Sequence, residues 1–150
     1  MTLKPVQPTD LLIAPDDPFE ALDGYDAAWP YRSVSLTDPR IYVVRLLGTQ
    51  SRDTAESAAL GLGQRLAEGG YKGLIFDYRQ AKIDHDPDNF AAIADAFART
   101  FPAGLPMVYL HDGATFVFAR LMVQLLRDRG VRTARASAFG PAWEAIARMA

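Results

Sequence analysis

Large and polar positions alternate over Tyr31-Arg32-Ser33-Val34-Ser35-Leu36, a period of two that predicts a strand. Thr37-Asp38-Pro39-Arg40 carries turn chemistry, and Ile41 to Leu47 is a β-branched run ended by Gly48, so the two strands form a hairpin. The period then changes. Ser51 to Glu56 offers several N-cap candidates, after which Ala55, Ala59, Leu62 and Leu66 fall on one helical face until Gly69-Gly70. Gly73-Leu74-Ile75-Phe76-Asp77-Tyr78 is a short apolar run, as expected of a strand covered on both faces. Asp86-Pro87 has the form of a helix start, and Phe90, Ile93, Phe97 and Phe101 mark the apolar stripe that follows. Pro106 to Leu110 is a further core strand, and His111-Asp112-Gly113 turns into a helix bearing Phe118, Leu121, Met122, Leu125 and Leu126, closed by Gly130. Val131 to Ala138 is a last strand, and Pro141 opens a terminal helix with Trp143 and Ile146.

The order β-β-α-β-α-β-α-β-α implies right-handed crossovers and a mostly parallel sheet, mixed because of the opening hairpin. The fold class is therefore α/β. A length of 150 residues, 49% hydrophobic and 23% charged, suits one soluble domain. That domain occupies residues 31–150. Residues 1–30 differ in kind: they hold five prolines and six acids against one lysine, a balance of 1 − 6 = −5. They read as an extended arm with apolar anchors at Leu11-Leu12-Ile13 and at Phe19 and Leu22. One expectation is that this acidic arm lies across the basic C-terminal region, where Arg120, Arg127, Arg129, Arg132 and Arg135 gather; a solvated tail is the other. That arginine group could bind phosphates or an anionic membrane surface, but thirteen arginines against three lysines point to compositional bias, and a solvated helix face is the favoured reading.

Several classes of function fall away. No cysteine means no disulfide framework, thiolate zinc site, iron–sulfur cluster or cysteine nucleophile, and two histidines cannot build a histidine cage. A net charge of −2 leaves no footprint for nucleic acid. The N-terminus lacks signal-peptide form and no apolar run approaches ~20 residues, so a cytoplasmic protein without a transmembrane segment is expected. Gly61-Leu62-Gly63 is no phosphate loop, because it lies inside a helix and no Gly-Lys-Ser/Thr follows; close approach of that helix to the sheet is the expected reason for it.

Over residues 31–150 the element order resembles the STAS domain family of bacterial anti-sigma-factor antagonists, and is most similar to its divergent sporulation-antagonist-like branch of unassigned function. Two stretches carry the resemblance: Gly73 to Arg79, like the family's strand ending in aspartate, and Ala138-Phe139-Gly140-Pro141-Ala142-Trp143-Glu144-Ala145, like its aromatic residue, short loop and last helix. The resemblance implies a non-enzymatic regulatory domain that binds a protein partner. In signalling members a serine near the start of the second helix is phosphorylated. Here Ile83-Asp84-His85-Asp86-Pro87-Asp88-Asn89 has no serine or threonine, so the switch does not carry over. Acids in that turn complement the helix dipole, and mimicry of a charged state is the alternative. The receiver domain is rejected: Gly48-Thr49-Gln50 follows the early strand and Phe139-Gly140-Pro141 the last, leaving Asp77 without its acidic pair and lysine.

Candidate chemistry gathers in Asp77, Arg79, Asp84, His85, Asp86, His111 and Asp112. Both groups follow strands and so belong at the carboxyl edge of the sheet, where open α/β folds bind ligands. An Asp–His pair could act as a general base, and two histidines with two carboxylates could hold a divalent metal. The competing reading makes Asp86 a helix cap, Asp112-Gly113 a turn and the histidines loop residues. No nucleophile is placed by motif, so the expectation is no catalytic residue, no metal and no cofactor. The surface from Asp84 to Asn89 would then meet a protein partner. A small apolar or anionic ligand between the sheet and the aromatic helices is the alternative, because the fold is also similar to that of lipid-carrying domains; a His/Asp-dependent hydrolase comes third. A homodimer is compatible with this size, and no residue pattern marks its interface.

Overall fold

The computed structural model describes residues 31–37, 39–50, 52–83 and 86–149, and the predicted arm, residues 1–30, lies outside them together with Asp84 and His85. Seven strands and four helices occur among the described residues: β1 (Tyr31–Thr37), β2 (Arg40–Leu46), β3 (Gly48–Gln50), α1 (Arg52–Gly69), β4 (Gly73–Asp77), β5 (Ala81–Ile83), α2 (Pro87–Thr100), β6 (Met107–Leu110), α3 (Phe116–Asp128), β7 (Thr133–Ala136) and α4 (Phe139–Met149). The main sheet has the order β1-β2-β4-β6-β7. β1 is antiparallel to β2, with Val34 opposite Val43, and the other pairings are parallel. The predicted α/β fold with a mixed, mostly parallel sheet is the one observed.

Two short strands escape the pattern. β3 and β5 pair in parallel beyond the carboxyl edge of the sheet, Gly48 opposite Ala81 and Gln50 opposite Ile83. They prolong the β2–β4 pairing past a sharp turn, for which Gly48 adopts a φ of 65°. Three residues are too few for alternation to show.

The pleat sorts the core into two layers. Tyr42, Val44, Leu74, Phe76, Met107 and Tyr109 face one side, under α1, α2 and α3. Val34, Leu36, Ile41, Val43, Ile75, Val108 and Leu110 face the other, where α4 contributes Phe139, Ala142 and Ile146. Every residue of β4 is buried, as its continuous apolar run requires. α3 ends in a Schellman motif: Val131 N–H donates to Leu126 O at 3.0 Å and Gly130 N–H to Arg127 O at 3.0 Å, with Gly130 at a φ of 80°.

Two expectations need correction. α4 begins at Phe139, two residues before Pro141: the first intrahelical bond runs from Ala142 N–H to Ala138 O at 3.2 Å, so the proline occupies the first turn, where no N–H is needed. And Gly63 serves a helix–helix contact, not approach to the sheet. A Cβ there would stand 2.5 Å from the backbone oxygen of Thr100, in the last turn of α2.

Candidate functional site

Asp77 ends β4 at the centre of the carboxyl edge, almost fully buried. Arg45, its register partner on β2, donates from Nε to Asp77 Oδ2 at 2.8 Å. Arg79 closes the other side, with Nε and Nη2 donating to Oδ1 and Oδ2 at 3.0 Å each and its backbone N–H to Oδ1 at 3.0 Å. Burial pushes the Asp77 carboxyl up, but the fork and backbone N–H of Arg79 and the charge of Arg45 outweigh it and hold the group below its ordinary range. The carboxylate is thus a fixed acceptor that orders two guanidiniums. Arg45 is absent from the sequence reading. Its signal was available: Ile41, Val43 and Arg45 alternate on one face, so a cation had to enter the buried side.

His111 follows β6, and its N–H bonds Ala136 O at 3.0 Å, continuing the ladder toward β7. Pleat alternation puts Leu110 on the face of Asp77 and His111 on the opposite one. There the imidazole, 9% exposed, meets Phe116 edge-on at 5.3 Å, and Arg135 covers the same ring at 4.9 Å. Asp77 and His111 therefore end neighbouring strands but stand on opposite sides of the sheet.

Asp112 is exposed and organises its own loop. Its Oδ1 accepts from Ala114 N–H at 3.0 Å, Thr115 N–H at 2.9 Å and Thr115 Oγ1 at 3.0 Å; burial pushes the carboxyl up, but these bonds together outweigh it and keep the group below the ordinary range. Asp86 holds the N-cap position of α2, where its backbone oxygen accepts from Asn89 at 2.9 Å. Its side chain makes no capping bond, so the predicted side-chain cap is replaced by position alone. Asp84 and His85 lie outside the described residues. Among the described residues no three His, Asp or Glu side chains form a group able to hold a metal ion, and no helix is long and apolar enough to cross a membrane.

Between the sheet and the helices, aromatic rings fill the space. Phe76 stacks on Phe97 at 5.4 Å and on Tyr109 at 5.5 Å, Tyr78 meets Tyr109 edge-on at 5.0 Å, and Phe97 stacks on Phe101 at 4.7 Å. Burial pushes the hydroxyls of Tyr78 and Tyr109 above the ordinary phenol range. Tyr109 Oη, fully buried, has no hydrogen-bond partner of acceptable geometry, although Tyr78 is its neighbour. At the surface above these rings, Phe90 of α2 stacks on Phe118 of α3 at 5.6 Å and brings the first turns of the two helices together. Val117 beside Phe118 is 67% exposed, with Asp86 and Asp88 exposed on α2. A groove of about 220 Å³ opens at the opposite, amino edge of the sheet, lined among others by Tyr71, Lys72, Pro102 and Arg132.

No protein-family model matches this sequence, and no curated protein matches it.

Proposed function

We propose that the chain is a non-enzymatic, STAS-like interaction module that meets a protein partner where the first turns of α2 and α3 adjoin. The observation that carries this reading is Val117, a large apolar side chain left 67% exposed on the first turn of α3, whose Phe118 stacks on Phe90 of α2 at 5.6 Å, the helix start where Asp86 and Asp88 are exposed. A lone exposed valine means little; one on a helix turn joined by an aromatic stack to a second, acidic helix start fits a partner with an apolar tip and basic flanks. The chemistry beneath supports the same reading. The Asp77 carboxylate is occupied by two guanidiniums, Asp112 by its own loop, and His111 packs on Phe116. The aromatic stack, in turn, takes up volume that an apolar ligand would need.

A photoreactive amino acid at position 117 of the full chain, produced in its native cells, tests this. A discrete protein adduct is expected from position 117 and not from Leu60, which is equally exposed on α1. Asp86→Lys with Asp88→Lys should abolish it. An absent adduct, or the same adduct from both positions, overturns the proposal. Native mass spectrometry of the unstripped protein adds a second arm, since a small molecule lost on denaturation would favour the carrier reading.

A further inference from the structure

Helix placement reverses between β6 and β7. α3 follows β6 and packs on the face of Met107 and Tyr109 through Ala119, Met122 and Leu126, as α1 and α2 do after β2 and β4. α4 follows β7 and packs on the other face through Phe139, Ala142 and Ile146. Because β6 and β7 are neighbours, the connections from their carboxyl ends part to opposite sides of the sheet. In open α/β sheets ligands bind where connections part in this way.

His111 and Arg135 stand at that point, and one ring holds both. The imidazole meets Phe116 edge-on at 5.3 Å, and Arg135 Cζ lies 4.9 Å from the same ring centroid. His111 is 9% exposed, yet its ring makes no hydrogen bond or ion pair with a described residue. A polar group buried to that extent ordinarily has a partner. Arg135, exposed, makes no ion pair with a described residue either, so its N–H donors are uncommitted. Asp112, the acid of this loop, accepts from Ala114 and Thr115 and pairs with neither His111 nor Arg135.

Two helices also begin here. The first intrahelical bond of α3 runs from Ala119 N–H to Thr115 O, and no side chain caps the helix. The N–H groups of Phe116, Val117 and Phe118 therefore precede the hydrogen-bonded ladder, with the positive end of a 13-residue helix behind them. α4, 11 residues long, starts from the end of β7.

We propose that His111, Arg135 and the first turn of α3 form a binding site for a small oxyanion of the phosphate class, either inorganic phosphate or a phosphomonoester. An imidazole N–H, a guanidinium fork and backbone N–H groups supply donors from three separate elements, which suits a tetrahedral anion better than a planar carboxylate. The site requires no protein partner at Val117.

Titration of inorganic phosphate into the full-length, isotopically enriched chain, followed by NMR, tests this. Saturable shifts are expected in the His111 ring and in the amides of Phe116 and Val117. Binding should weaken tenfold or more in His111→Phe, which keeps a ring against Phe116, and likewise in Arg135→Gln, whose exposed side chain leaves the core intact. Arg148→Gln, in the last turn of α4 at the opposite edge of the sheet, should change it less than twofold. Phenyl phosphate separates the two sources: tighter binding than phosphate assigns a phosphomonoester, and weaker binding assigns the free ion. Acetate that binds as tightly as phosphate refutes the tetrahedral site. So does the lack of any saturable shift in the millimolar range, or binding that survives both the His111 and the Arg135 substitutions.

Discussion

Arg45 Nε donates to Asp77 Oδ2 at 2.8 Å across the β2–β4 pair, and both side chains are at most 8% exposed. A buried ion pair is weak evidence for stability, but removing one partner leaves the other charge uncompensated in a poor solvent. Asp77→Asn keeps the shape and abolishes the charge. Its expected cost is about 3 kcal/mol, read from urea unfolding, with Arg45 rather than the half-buried Arg79 as the main source of the loss.

The same carboxylate makes stability depend on acid. Its folded-state pKa lies below that of the unfolded chain, so the unfolded chain binds the proton first as pH falls. Stabilisation is complete above the unfolded value of about 3.9 and disappears as pH drops through the lower, folded one. Asp112 is shifted in the same direction by its loop bonds. Unfolding midpoints measured from pH 6 to pH 2.5 should fall steeply below about pH 4 in the wild type, and less steeply in Asp77→Asn.

Two glycines two residues apart inside α1 should respond in opposite ways. Gly61 has open space where a Cβ would go, so Gly61→Ala should stabilise by up to about 1 kcal/mol through helix propensity. Gly63 faces the Thr100 backbone oxygen at 2.5 Å from that position, and backbone cannot swing aside. Gly63→Ala should therefore destabilise by about 1–3 kcal/mol, as overpacking does. Thermal melts of the two variants beside the wild type decide it.

Tyr109 buries its hydroxyl beside that of Tyr78, without a hydrogen bond of good geometry. Tyr109→Phe removes an unsatisfied polar group and keeps the ring that stacks on Phe76. A gain of about 1 kcal/mol is expected in equilibrium unfolding. A loss of that size would mean that the hydroxyl is bonded in solution.

Much of this architecture is local in origin. Alternation in Tyr31–Leu36, the β-branched run of Ile41–Val44, the stripe of Phe90, Ile93 and Phe97, and glycines at 70 and 130 each act within a few residues, so the order of the five main-sheet strands and the helices between them was legible from sequence, including two helix ends that need a positive φ, whereas β3 and β5 were not. The aspartate at the end of β4 and the polar loop after β6 were legible for the same reason. What they do was not. Whether Asp77 and His111 share a face depends on strand register, whether Gly63 meets a sheet or a helix depends on helix placement, and whether Asp77 is available depends on Arg45, 32 residues away. Such contacts are long-range, and periodicity carries no record of them. Sequence determined which segments are strands and helices, because propensity and period are short-range properties; tertiary structure alone decided which charges meet, because burial and pairing are properties of the assembled sheet.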